Sequence, residues 1–335
     1  MGTEMTRRAA IVTGAAAAAV GAVGAPALAA PAPGTDRDAT GKIRHRYTKQ
    51  STKAGGNWYS HVALIGADAS VTPIIEDEAD FVVHGYSVQK LFVATAVLDK
   101  VDRGALTMDT KVTLTPEIIL GGSGIYHLQK TYGDQLTVAG FLTAMLLVSD
   151  NTAVRLCGLV CPAAEINATL EAKGFVSSRV EPVANPNRFF LGVTTPRETH
   201  QLLHRLSQGT LLSPASTAFM LGVLRWTSGY HDGIRRNMSS WERDRVATKY
   251  GADFNTLGAS RHEAGIMFGS DGAPVLTYAF FAEGLAELDN YGATHPAVEA
   301  HAVLGRTMFD TVAAATAPGA RSRQPLRPYN YTDTA

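Results

Sequence analysis

The chain has 335 residues, 45% hydrophobic and 18% charged, with 30 Lys and Arg balanced by 30 Asp and Glu. That composition is globular, with apolar material for one large core or two smaller lobes. Zero net charge leaves no electrostatic footprint for nucleic acid or an anionic membrane surface, and past position 40 no unbroken run of 18 apolar residues offers a bilayer span.

The first 34 residues, "MGTEMTRRAAIVTGAAAAAVGAVGAPALAAPAPG", begin with Arg7 and Arg8. They continue through a weakly apolar Ala/Gly/Val stretch and reach a small-x-small cleavage pattern at Ala27-Leu28-Ala29. We expect a signal peptide over 1–29, an exported protein, and a twin-arginine route, although the usual bulky apolar residue after the arginines is missing. Residues 30–56 read as a polar N-terminal arm and 317–335 as a C-terminal tail.

Between them the pattern alternates. "NWYSHVALIGAD" (57–68) and "SVTPIIEDEADFVV" (70–83) predict a β-hairpin. Residues 88–103 carry Leu91, Ala94, Val97, Leu98 and Val101 at helical spacing and stop at Gly104. Further helices are predicted through "LTVAGFLTAMLLV" (136–148) and over 151–160. "TPRE" (195–198) opens another, with Thr195 as N-cap, Pro196 at the first position and Glu198 three after the cap. Late strands follow at 244–251, 262–268 and 274–284, then a closing helix at 295–315. Strands at both ends and helices between predict an α/β (α+β) fold: an antiparallel sheet built from both chain ends (57–83 and 240–316) and an all-helical subdomain (84–239).

Cys157 and Cys161 lie four apart on one helix face, a spacing that strains a disulfide, though Pro162 follows and the second cysteine can sit at a helix end. A disulfide and two buried thiols both remain open. His200 and His204 have no third ligand in view and read as helix-face residues, so neither a metal nor another cofactor is expected.

Ser87 and Lys90 sit i and i+3 at the mouth of the helix predicted over 88–103, on one face. They are either a capped helix with a solvated lysine, or a nucleophile and its base. A chain this long holds about one S-x-x-K by chance, so the pair alone decides little. It is accompanied by "VSDNTA" with Ser149, Asp150 and Asn151, by "RVEPVAN" with Glu181 and Asn185, and by Lys249-Tyr250-Gly251. Each of these also has an ordinary structural reading: a helix cap, a loop acid, a strand-edge lysine.

The ordered set S-x-x-K, S-D-N, E-P-x-x-N and K-x-G resembles the class A β-lactamase family and its penicillin-recognising serine-enzyme relatives. The likeness extends over 57–316, with "LDKVDRGALTMDTKV", "GSGIYHL" and "TTP" as further matching pieces. It implies a β-lactamase/transpeptidase-like fold and an acyl-enzyme hydrolase acting on a β-lactam, amide or ester, as a monomer without nucleic-acid or membrane partners once the signal is removed. By position it implies Ser87 as nucleophile, Lys90 as a base, Ser149 as proton relay and Asn151 as a holder of the substrate amide. Glu181 with Asn185 would activate the deacylating water, and Lys249 would tune the relay and attract a carboxylate. The N–H groups of Ser87 and Ala252, beside Gly251, would form an oxyanion hole. Arg261 is either a carboxylate clamp or a surface arginine.

Three departures bear on specificity. Tyr250 stands where the family carries Thr or Ser. Gly192 stands where an acid often pairs with the arginine matching Arg179, and the loop between Asn185 and Thr195 is short. The segment Lys249–Arg261 is long. Hydrolysis of a β-lactam or related cyclic amide or ester with non-standard specificity is one reading. A D-Ala-D-Ala-type peptidase, a transacylase or esterase, and a non-catalytic binding protein on the same fold are the others.

Overall fold

The computed structural model describes residues 35–313; the expected signal peptide and C-terminal tail lie outside them. In chain order the elements are α1 (Thr35–Ala54), β1 (Asn57–Ile65), β2 (Val71–Asp77), β3 (Val83–His84), a 3-10 turn (Tyr86–Gln89), α2 (Lys90–Asp102), β4 (Lys111–Thr113), a 3-10 turn (Pro116–Ile118) and β5 (Gln135–Thr137). Then come α3 (Val138–Leu147), α4 (Asn151–Val160), α5 (Ala163–Ala172), β6 (Arg179–Pro182), β7 (Phe189–Thr194), α6 (Pro196–Ser207), α7 (Pro214–Arg225) and α8 (Ser240–Arg243). The chain returns through β8 (Val246–Asn255), β9 (Gly258–Phe268) and β10 (Pro274–Leu285) to α9 (Pro296–Met308) and a π turn (Phe309–Ala313). No single described helix is long and apolar enough to cross a membrane.

The main sheet has the order β2-β1-β10-β9-β8, every neighbouring pair antiparallel, so the N-terminal hairpin and the three late strands close one surface as predicted. One face packs against α1 and α9 around Ile43, Tyr47, Trp58, Tyr278 and Phe280. The other packs against the helical lobe, where Ala247, Ile266 and Phe281 join α2, α3 and α4 in a single core. Of the expected N-terminal arm, Thr35–Ala54 is the helix α1, seated on α9 and completing the sheet lobe. Its two core anchors, Ile43 and Tyr47, are isolated among charged neighbours, so periodicity alone is weak there.

α2 is the axis of the helical lobe. Leu91 to Leu98 are all buried, so the first two turns are enclosed on every side and not only along the face that the spacing predicts. α6 begins at the predicted cap: Thr195 Oγ1 accepts from Glu198 N at 3.0 Å. The Glu198 carboxylate does not return to close a capping box; it accepts from Ser177 N, Ser178 N and Ser178 Oγ and ties α6 to the chain ahead of β6. Cys157 and Cys161 are both buried free thiols. His200 stacks on His61, ring centroids 4.1 Å apart, and its Nδ1 lies 2.6 Å from Thr277 Oγ1, facing the sheet.

The subdomain expected to be all-helical over 84–239 also holds strands: β4 and β5 form a two-stranded sheet. The stretch around "EPVAN" is a hairpin, β6–β7, joined by β3 in a separate three-stranded sheet. Gly192 makes that hairpin possible. Its φ is +77°, and a Cβ there would stand 2.1 Å from the Arg179 carbonyl oxygen. The residue at 192 must be glycine for backbone reasons, which explains why no acid stands opposite Arg179.

Candidate active site

Ser87 lies in the 3-10 turn that leads into α2, seated between β7 and β8. The seat is built from backbone. Gly85 N donates to Gly192 O at 3.0 Å, and the buried Gln89 side chain donates to Val193 O at 3.1 Å and Arg179 O at 3.3 Å. On the opposite side Gly251 presses against the turn: a Cβ there would be 3.0 Å from both Ser87 N and Val88 N. Neither the turn nor α2 has a side-chain cap. Ser87 is therefore not a helix cap, and Lys90, 0% exposed, is not a solvated lysine.

Lys90 Nζ donates to Ser149 O at 2.6 Å, Ser149 Oγ at 3.1 Å and Asn151 Oδ1 at 2.8 Å. Burial pushes its ammonium down to about 7, against the pull of the Asp150 carboxylate. Lys249 Nζ reaches the same hydroxyl, Ser149 Oγ, at 2.9 Å, and Tyr250 O at 2.9 Å. Burial, then the neighbouring Lys90 charge, holds Lys249 well below the ordinary lysine range. Two buried amines thus converge on one serine hydroxyl. Burial and mutual repulsion both favour loss of a proton from the pair, which leaves a lone pair to accept one.

The S-D-N triplet turns sharply to place these atoms. Ser149 has φ +58°, a strained value for a non-glycine residue. Asp150 caps α4 by accepting from Ala153 N at 2.8 Å, and its other oxygen accepts from Ile125 N and Tyr126 N. The structural reading of Asp150 is therefore correct, while Ser149 and Asn151 face the site. Asn151 also donates to Gly121 O at 2.9 Å.

Asn151 also lines a cleft of about 1080 Å³ whose walls include Ser87, Glu181, Tyr250 and Ala252, while Lys90, Ser149 and Lys249 are buried and do not reach its surface. Two expected residues, Asn185 and Arg261, are neither on this cleft nor in the buried cluster beside it. Asn185 is exposed at the hairpin turn and accepts from Asn187 N at 2.9 Å. The reason is that Arg179–Pro182 is extended; positions i and i+4 share a face on a helix, not on a strand entering a turn. Arg261 is 2% exposed. Its guanidinium donates to the carbonyls of Asn290 at 2.6 Å, Ser260 at 2.8 Å and Asp253 at 3.0 Å, and stacks on Tyr291. It is neither clamp nor surface residue: it pins the loop after β10.

The Tyr250 ring is part of the cleft wall. It stacks on Tyr230 with centroids 3.9 Å apart and planes at 17°, and Lys249 Nζ lies 4.7 Å from its centroid. Tyr230 escapes sequence reading: it sits in "SGYHDG", a loop with no periodicity. Gln89, Asp232, Arg155 and Arg188 escape it too, the last three because a cleft wall assembled from separate segments has no local pattern.

The chain matches the model of the β-lactamase enzyme family over residues 62–312. Among curated proteins none matches it. Among solved structures it is similar to a β-lactamase from Chitinophaga pinensis, with 21% identity, TM-score 0.66, 80% of this chain and 98% of that one covered. It is similar to a β lactamase from Xanthomonas campestris, with 20% identity, TM-score 0.66 and coverage of 82% and 98%. A variant of PBP-A, solved as an acyl-enzyme complex with penicillin G, matches at 20% identity and TM-score 0.60, with 82% and 96% covered. At these identities the structures establish a common fold.

Proposed function

Because the chain belongs to the β-lactamase enzyme family, a family of serine hydrolases, we propose that it is an exported enzyme working through an acyl-enzyme on Ser87. Its substrate would be a β-lactam or related cyclic amide or ester, taken with non-standard specificity. The observation that carries the reading is the convergence of Lys90 and Lys249 on Ser149 Oγ beside Ser87. A neutral Lys90 takes the Ser87 proton as Oγ attacks the carbonyl. The N–H groups of Ser87 and Ala252 receive the oxyanion. The proton passes through Ser149 to the leaving nitrogen, and the C–N bond breaks. Glu181 then takes a proton from water as that water attacks the ester, and the same proton is handed on to Ser87 Oγ as its bond to the acyl carbon breaks, which restores the starting state.

A second reading, acyl transfer to an amine, draws support from Asn185. With that amide turned away, Glu181 positions water without its expected partner, and the acyl-enzyme lives longer. A fluorescent penicillin with intact-mass measurement tests both. A transient adduct on Ser87, absent in Ser87→Ala, supports hydrolysis, and a lasting one supports transfer. No adduct with this or any activated ester removes the enzymatic reading. Export is tested separately: protein from culture medium should begin near Ala30, and an intact Met1 on cytoplasmic protein would refute it.

A further inference from the structure

Ser87 lies between two walls, and only one of them carries arginine. The β8 wall carries Tyr250, Tyr230 and Tyr291 with two acids, Asp232 and Asp253. This is the side where the resemblance implies a substrate carboxylate, yet Arg261 is spent on backbone carbonyls and Lys249 is buried beneath the Tyr250 ring. The opposite wall is made by α4 and the β6–β7 hairpin and carries Arg155 and Arg188 among Leu120, Val154, Val183 and Phe189. Arg155 spends one N–H on Ile119 O at 2.7 Å, and Arg188 one on Asn187 O at 3.3 Å. The two are close enough that Arg188 adds to the burial that lowers the Arg155 pKa. Glu181, on β6 of the same hairpin, and Glu117 also line the cleft, but among the described residues no carboxylate lies within ion-pairing distance of either guanidinium.

Two neighbouring guanidinium groups without a counter-charge repel each other, and an anion bound between them relieves that repulsion. Aspartates on the other wall repel an anion placed there. Resting on the serine-hydrolase reading above, we propose that the cleft selects acyl substrates with their anionic group on the acyl side, held by Arg155 and Arg188. The leaving group, against the tyrosines and aspartates, is neutral or cationic. The usual polarity of a penicillin, with its carboxylate on the leaving-group side, is thereby reversed.

The test uses the full protein and two rigid esters with the same 4-nitrophenyl leaving group. One is the mono-ester of terephthalate, with a carboxylate on the acyl ring; the other is the 4-methylbenzoate, with a methyl in its place. The carboxylate ester should be favoured about 10–100-fold in kcat/KM, the scale of a charge-assisted hydrogen bond. That ratio should shrink in salt, fall in Arg155→Gln and Arg188→Gln, and survive in part in Arg188→Lys. A ratio near one, with Ser87 acylated by both esters, overturns the proposal and leaves the hydrolase standing; so does a preference that persists in both glutamine variants. Absence of any Ser87 adduct with either ester or with a fluorophosphonate overturns both.

Discussion

Ser149 is where the chain accepts local strain for chemistry. Its positive φ turns the hydroxyl between two buried lysines, and the Asp150 cap on α4 holds the turn. Glu181 lines the same cleft as Ser87, and we predict that Glu181→Gln slows deacylation about 10²–10⁴-fold. Acylation should survive at least in part, so intact mass should show a long-lived adduct. Equal loss of both steps would give Glu181 a different role. Tyr250 sets a further expectation. Its ring lies stacked on Tyr230 where a short hydroxyl would meet a carboxylate, so natural turnover of penicillins should be weak. Restoring that hydroxyl in Tyr250→Thr should raise kcat/KM for a penicillin about 10–150-fold, the worth of one hydrogen bond to a charged group. Efficient natural turnover, or no gain on substitution, would refute a specificity role for the ring.

The hairpin β6–β7 and the Ser87 turn act as one element. Gly192 leaves open the space beside the Arg179 carbonyl that a Cβ would fill, while its own carbonyl accepts from Gly85 N. Gly192→Ala would place a methyl on that carbonyl at positive φ, costing about 1–3 kcal/mol of stability. The same shift moves the seat of the turn, so acylation of Ser87 should fall even where the protein stays folded; unchanged melting and unchanged acylation would show that the hairpin adjusts freely. α1 is the other element whose role is structural. Tyr47 donates to Asp77 at 2.6 Å and stacks on Phe280, so α1 covers β1, β2 and β10 together.

At the scale of the whole molecule, the sheet and its two helical layers bury a set of neutral histidines. Burial lowers His61 to about 4 and His200, His262 and His301 each to about 3. His262 shows how: Nδ1 accepts from Ala282 N, leaving Nε2 to donate to His84 O. Below pH 6.5 the unfolded chain binds protons at these rings while the folded chain does not. Their contribution is present above pH 6.5 and is lost as pH falls toward 4. Burial raises Glu263 to about 7 and Glu283 above its ordinary range; both keep their protons higher in pH in the folded state and work the other way, two carboxyl groups against the four rings and His295, which burial also lowers. The melting temperature should therefore drop steadily from pH 6.5 to 4.5, followed by circular dichroism. A flat profile would show that the rings are charged in the folded state.

Periods and spacings are local properties, and they determined what is local. The apolar face of α2, the hairpin β1–β2, the three late strands and the ordered motifs around Ser87, Ser149, Glu181 and Lys249 are all legible in the linear sequence. Each follows from side-chain alternation or from one short motif. The tertiary structure decided what depends on partners far along the chain. It drew α1 into the sheet lobe through two anchors, turned Asn185 out by making its segment a strand, and spent Arg261 on the carbonyls of another loop. It also set Tyr230 against Tyr250 and Arg155 beside Arg188. A side chain's direction follows from the backbone conformation beneath it and its charge from the neighbours around it, and in this cleft both are supplied by segments more than 100 residues apart.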